Sequence, residues 1–273
     1  MDVLRIIFAL LAVGLLGILF GLGLAVASRV LAVKKDARVT DVEGILPGAN
    51  CGACGYAGCA AYAEAVVNDG ADLTLCTPGG PTVAGRLGEY MGVEVEVTGE
   101  KMIAQIMCRG TRETSTTSFT YAGLEDCNAL YASFQGDKDC PFGCLGMGSC
   151  IKVCPVDAIY RHEAGYIDID QEKCISCGKC FKVCPTGVIK WVPYGSDMIV
   201  ACNSTDKGGV VKKYCSVGCI GCKICEKKSP DGGFIVDNFL ATIDYSKDGE
   251  RESAAEACPA KCIVSIKKLA VKA

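Results

Sequence analysis

The chain opens on an apolar stretch without a break. From Ile6 to Ser28 no charged residue interrupts a run rich in Leu, Ala, Ile and Gly, long enough to cross a bilayer as a helix. Arg5 precedes the run, whereas Arg29, Lys34, Lys35 and Arg38 follow it. The positive-inside rule then places everything after Ser28 in the cytoplasm. A cleaved signal peptide is the alternative, with Ala25-Val26-Ala27 as a small-residue cleavage pattern. Against it, the run is longer than a usual signal core and its basic residues lie on the wrong side. Gly17, Gly21 and Ala25 form a small-residue row suited to close helix approach, although Gly is also simply frequent in membrane helices.

Beyond this anchor the periodicities are short. Ala60 to Val67 reads as a helix, Val93-Glu94-Val95-Glu96-Val97 alternates as a strand does, and the polar run Thr111 to Thr120 reads as a loop or linker. Two hairpins are expected. One pairs Ala158-Ile159-Tyr160 with Tyr166 to Ile169 around Glu163-Ala164-Gly165, and the other pairs Phe234 to Val236 with Leu240 to Ile243 around Asp237-Asn238. The expected fold class is α+β: a transmembrane anchor over 1–28, a small α-rich four-Cys domain over 29–92 and a linker with a short strand over 93–126. Two tandem ferredoxin-like units follow, over 127–199 and 200–273. Pieces this small need staples besides their apolar cores.

Composition supplies the staples. Of 273 residues 21 are Cys and one is His, a cysteine load far above ordinary usage. A single His excludes Cys/His zinc arrays and most His-dependent hydrolase chemistry, and His162 itself reads as a surface residue of the first hairpin. The net charge of -3 argues against a nucleic-acid partner. Neither a dinucleotide-binding glycine motif nor a P-loop is present. A cytoplasmic location keeps thiols reduced, so metal or cluster binding is the remaining use for so many.

The thiols fall into groups. Cys51-x2-Cys54-x4-Cys59-x16-Cys76 sits among Gly and Ala, which let the backbone wrap closely around sulfur. The group favours a four-iron cluster, with zinc as the alternative. Cys174-x2-Cys177-x2-Cys180-x3-Cys184-Pro185 is the bacterial ferredoxin run, in which the fourth Cys serves the other cluster. Its partner run is Cys144-x5-Cys150-x3-Cys154-Pro155, with Met147 where a second Cys belongs. The crossing rule assigns Cys154, Cys174, Cys177 and Cys180 to one cluster. With Cys140 as the substitute ligand, it assigns Cys140, Cys144, Cys150 and Cys184 to the other.

An internal repeat follows. Cys127, Cys140 and Cys144 recur 75 residues on as Cys202, Cys215 and Cys219. Downstream, Cys219, Cys222, Cys225 and Cys258 complete one ligand set, while Ser229, Asp248, Arg251 and Ala254 occupy the four positions of the other. The second repeat is expected to have lost one whole cluster. Cys108, Cys127, Cys202, Cys215 and Cys262 remain, open between a fifth site, alternative ligands and buried free thiols. Lys207, Lys212, Lys213, Lys223, Lys227 and Lys228 against Asp206 and Glu226 make residues 201–228 basic in an acidic chain. Such a face suits an acidic electron donor, or is a solvated surface with no partner.

Together the apolar anchor, the C-G-A-C-G-Y-A-G-C motif of Cys51 to Cys59, the C-P-x-x-A-I and C-P-x-x-x-I runs and the Ala201 to Lys213 segment resemble the B subunit of the Rnf complex, in its extended anaerobe-type form. The resemblance covers essentially the whole chain. It implies an iron–sulfur subunit of an ion-translocating ferredoxin:NAD oxidoreductase, single-pass in the cytoplasmic membrane, with its clusters on the cytoplasmic side. It also implies soluble ferredoxin as electron donor and the other subunits of the complex as partners. At least four [4Fe-4S] clusters are expected, with a fifth left open. No catalytic residue of its own is expected, and the anchor carries no intramembrane carboxylate for an ion. A membrane-tethered redox sensor, or the reductase of a regulator, is the alternative function.

Overall fold

The computed structural model describes residues 3–30, 36–95 and 100–266. The chain divides into two compact units, Met1–Asp41 and Val42–Ala273. The first is dominated by α1 (Val3–Val30). Its stretch Ile6–Val30 is, among the described residues, the one helix long and apolar enough to cross a membrane. The faces of Gly17 and Gly21 look into open space. Lys34 and Lys35, counted above among the flanking charges, lie outside the described residues.

After α2 (Ala37–Ile45), the four-Cys region is built on α3 (Cys59–Asn68) and α4 (Gly80–Met91). The expected helix Ala60 to Val67 falls inside α3. Pro81 sits in the first turn of α4, where its missing N–H costs nothing, and Gly92 ends the helix in the left-handed conformation at φ 69°. Tyr62 and Val66 of α3 and Leu87 of α4 are fully buried. The Tyr62 hydroxyl donates to the Asp72 carbonyl at 2.6 Å, tying α3 to the loop that delivers Cys76.

The rest of the chain folds as two repeats of one plan. The first comprises β1 (Met102–Ile106), α5 (Cys127–Ala132), α6 (Ser149–Lys152), β2 (Ile159–Arg161), β3 (Ile167–Ile169), α7 (Lys179–Lys182) and β4 (Ile189–Pro193). The second comprises β5 (Met198–Val200), α8 (Gly208–Tyr214), α9 (Ile224–Lys228), β6 (Phe234–Asp237), β7 (Leu240–Ile243), α10 (Glu252–Ala257) and β8 (Ile263–Ser265). In each repeat the first strand pairs antiparallel with the last, and the middle two form a hairpin.

Both hairpins lie where the alternation placed them. The second turns on Asn238 and Phe239, both left-handed (φ 43° and 63°), the conformation that a two-residue hairpin loop demands. The strand read at 93–97 is irregular over 93–95, and 96–99 lies outside the described residues. Instead the segment read as a linker contributes β1, which joins the first repeat's sheet from Met102↔Pro193 to Ile106↔Ile189.

Among the apolar cores of the described residues, two share β5. Ile199 packs with Ile103, Ile106, Ile167, Val188 and Val192, whereas Met198 and Val200 pack with Phe234, Val236, Ala241 and Ile263. Opposite faces of one strand thereby bind the repeats together.

Candidate metal centres

The three ferredoxin-type runs share a backbone device. On either side of the second-Cys position each run carries a residue of positive φ: Gly146 and Gly148 (75° and 81°), Ser176 and Gly178 (59° and 69°), Gly221 and Lys223 (64° and 60°). Successive turns of this kind aim amide N–H groups into a concavity that favours negative charge. The amides indeed reach sulfur two residues on: Gly146 N–H donates to Cys144, Lys179 N–H to Cys177 and Gly221 N–H to Cys219. The loops are shaped for thiolates.

Cys154, Cys174, Cys177 and Cys180 line one hollow of about 350 Å³, together with Ala104 of β1. A second hollow of the same size, lined by Ile106 of the same strand face, gathers Cys144, Cys150 and Cys184. Its fourth thiol is Cys127, and Cys140, expected there from spacing, lies elsewhere. Met147, at the position of the missing Cys, packs with Leu130, Leu145 and Cys127, so α5 brings its own thiol to the place the run leaves empty. The helix is held for this. Asp126 caps it through Asn128 N–H and Ala129 N–H, and also accepts from the Ser149 hydroxyl at 2.7 Å. Ser149 Oγ in turn accepts from Cys127 N–H at 2.7 Å.

Cys51, Cys54, Cys59 and Cys76 surround a third hollow, of about 300 Å³. The Asn50 carboxamide oxygen accepts from Cys59 N–H at 2.8 Å, and any side chain on Gly58 would strike that oxygen. Cys219, Cys222, Cys225 and Cys258 surround a fourth, of about 350 Å³. Cys262, left over by the arithmetic, lines the same hollow with its Sγ 3.6 Å from that of Cys258. Hydrogen bonding with Cys262 holds the Cys219 and Cys258 thiols below the usual range and raises that of Cys262. The remaining four, Cys108, Cys140, Cys202 and Cys215, line a fifth hollow of about 300 Å³.

The positions where the second repeat lacks cysteines are filled by protein. Arg251 is buried and donates to the Gly232 carbonyl and the Asp197 carboxylate, each at 2.8 Å, and the Ser229 hydroxyl donates to the Glu250 carbonyl. Backbone meets backbone here, since a Cβ on Gly249 would overlap the Asp231 carbonyl. Ala254 is fully buried. Side chain and backbone contacts thus occupy the space around Ser229 and Arg251.

Among the described residues no three His, Cys, Asp or Glu side chains converge closely enough to hold a single metal ion. Thiols in fours around a hollow, with amides turned to sulfur, instead fit a polynuclear iron–sulfur cluster with cysteine at each corner. Burial pushes Cys140 up to about 11 and Cys150, Cys180 and Cys202 up to about 12. Without a cofactor these thiols stay protonated, and ligation releases their protons.

Comparison with known proteins agrees with this chemistry. Residues 46–78 match a family described as a putative Fe-S cluster, and residues 139–188 match a 4Fe-4S dicluster domain. The B subunit of an ion-translocating oxidoreductase complex from Methanosarcina acetivorans is 40% identical over 91% of this chain and 94% of its own length. The chain belongs to the family of Rnf B subunits. The corresponding protein of the Na(+)-translocating ferredoxin:NAD(+) oxidoreductase complex of Acetobacterium woodii is 40% identical over 92% of this chain and 75% of that protein. That of the proton-translocating complex of Clostridium ljungdahlii is 40% identical over 94% and 90%. As a member of this family the chain is an iron–sulfur electron-transfer subunit of a ferredoxin:NAD oxidoreductase translocase. The B subunit of an ion-translocating oxidoreductase complex from Pasteurella multocida is 36% identical over 58% of this chain and 66% of its own length.

Proposed function

We propose that this subunit takes electrons from a reduced ferredoxin and passes them, one at a time, to the NAD-reducing partners of its complex, tethered to the cytoplasmic face of the membrane by α1. The observation that carries this reading is the gathering of thiols in fours around hollows. Four ligand sets follow: Cys51, Cys54, Cys59 and Cys76; Cys154, Cys174, Cys177 and Cys180; Cys127, Cys144, Cys150 and Cys184; and Cys219, Cys222, Cys225 and Cys258. When bound, a [4Fe-4S] cluster takes up and gives back a single electron, at potentials that reach roughly -400 mV and below.

The rest is the work of the chain. Amides turned to sulfur stabilise the charge of the ligands, apolar side chains such as Ala104 and Ile106 keep water from them, and strands shared between repeats fix their separation. Ferredoxin is received at the second repeat. There Cys222 is exposed, next to exposed Lys223, and Lys207, Lys212, Lys213, Lys227 and Lys228 are exposed as well. An acidic protein steered to that face approaches the outermost thiol of the chain's C-terminal centre.

The test is optical and chemical. Purified anaerobically in detergent, the full chain is expected to be brown, with broad visible absorption bleached by reduced ferredoxin and restored by the NAD-reducing partners. A colourless protein rich in zinc would exclude the reading. A coloured protein that reduced ferredoxin leaves unbleached would exclude this donor and favour the sensor alternative.

A further inference from the structure

We infer that Cys108, Cys140, Cys202 and Cys215 bind a fifth [4Fe-4S] cluster, built jointly by the two repeats, which bridges the first repeat's pair of centres to the centre of the second. This deepens the relay proposed above and rests on it.

The four thiols come from equivalent places in the two repeats. Cys108 follows the end of β1 at Ile106 by two residues, and Cys202 follows the end of β5 at Val200 by two. Cys140 and Cys215 each stand four residues before the first Cys of a run, Cys144 and Cys219. Each repeat therefore contributes one thiol from just beyond its first strand and one from the approach to its own thiol-bearing loop.

The surroundings are those of the other centres. Phe142 N–H donates to Cys140, Ser204 N–H to Cys202 and Val217 N–H to Cys215, each two residues after the thiol, as at Cys144, Cys177 and Cys219. Cys202 and Cys215 receive a further amide each, from Cys219 and Gly218. Glycines line the hollow: a Cβ on Gly110 would lie 3.6 Å from both Cys108 Sγ and Cys215 Sγ, and one on Gly143 would lie 3.5 Å from Cys140 Sγ and 3.8 Å from Cys108 Sγ. The segments are tied to one another. Asn203 donates to the Phe142 carbonyl at 3.4 Å, Thr116 N–H to the Tyr214 carbonyl at 2.8 Å, and the Lys138 ammonium to the Gly110 and Cys144 carbonyls at 2.7 and 2.8 Å. Lys138 thus puts a positive charge beside thiolates that a cluster would leave net negative.

The site also lies where a relay needs it. Cys108 packs on the first core and Cys202 on the second. Thiols of adjoining groups lie within electrostatic reach: Cys51 of Cys177, Cys150 of Cys180, Cys108 of Cys144 and Cys219 of Cys202. The fifth site completes one line of five. Passage through it takes one electron from the second repeat's centre, reduced by the ferredoxin, and gives one to the first repeat's pair. No proton is taken up and no substrate bond is made or broken.

Native mass spectrometry of the full chain, purified anaerobically in detergent, counts the clusters directly. Five per chain, with about 20 iron and 20 sulfide, is expected, and four with about 16 would overturn the fifth site while leaving the relay intact. No iron at all would sink both. Cys108→Ala and Cys202→Ala are each expected to cost about four iron atoms and one paramagnetic centre in the reduced protein, and Cys262→Ala to cost none. Should the alanine variants fail to fold, Cys108→Ser decides: altered g values for one centre support the site, and an unchanged spectrum refutes it.

Discussion

Cys262 stands as a fifth thiol at the hollow lined by Cys219, Cys222, Cys225 and Cys258. It occupies the position that Ala158 holds after Cys154-Pro155, so in the second repeat a thiol stands where the first has a methyl group. Its Sγ lies 3.6 Å from that of Cys258, within hydrogen-bond reach. A hydrogen bond to sulfur favours the more negatively charged, reduced state of a cluster. Cys262→Ala should therefore leave iron content unchanged but lower the potential of the C-terminal centre. One hydrogen bond at about 1 kcal/mol corresponds to a shift on the order of 40 mV, measurable by a redox titration followed by electron paramagnetic resonance. An unchanged potential would mean that the thiol only fills space.

At the scale of elements, α5 is a six-residue helix whose purpose is to carry Cys127. So short a helix depends on its cap. Asp126→Ala removes the acceptor for Asn128 N–H, Ala129 N–H and the Ser149 hydroxyl, and is expected to weaken the helix by about 1 kcal/mol. The measurable result is faster iron loss to a chelator from one centre only, the same centre that Cys127→Ala abolishes. Asp126→Asn, which keeps an acceptor, should restore most of the resistance. Uniform acceleration at all centres would show instead that the whole fold had loosened.

Elements also show what was legible in advance. The hairpins were readable because strand alternation and turn residues lie within a dozen positions of each other. The pairings β1 with β4 and β5 with β8 were not, because their partners lie far apart in sequence and neither strand carries a signal of the other. The same distance hid Cys127: spacing arithmetic counts along a run, and this thiol reaches its group by the packing of Met147, Leu130 and Leu145. It also matched Cys202 with Cys127, where the fold matches it with Cys108. The longer segment between Cys108 and Cys140 than between Cys202 and Cys215 disguised that correspondence. The gathering of Cys219, Cys222, Cys225 and Cys258 around one hollow, and the protein contacts at Ser229 and Arg251, follow positions that counting within one run had marked.

For the whole molecule the proposed docking face rests on the distribution of charge. The lysines of 201–228 and Cys222 are exposed in a chain whose net charge is -3. The double variant Lys212→Glu/Lys213→Glu should slow reduction by ferredoxin at low salt by about tenfold or more, with the difference shrinking as salt screens the field. Stopped-flow reduction across a salt series checks this. Equal salt slopes for variant and parent would move the docking face elsewhere.

The protein that fills the vacated half of the second repeat has a consequence for this traffic. A ferredoxin with two centres offers an electron two places to rest, whereas here Arg251, Ser229 and the close backbone at Gly249 leave only one at that end. On the proposed relay the circuit is without spurs: an electron that enters beside Cys222 has a single neighbour to visit next.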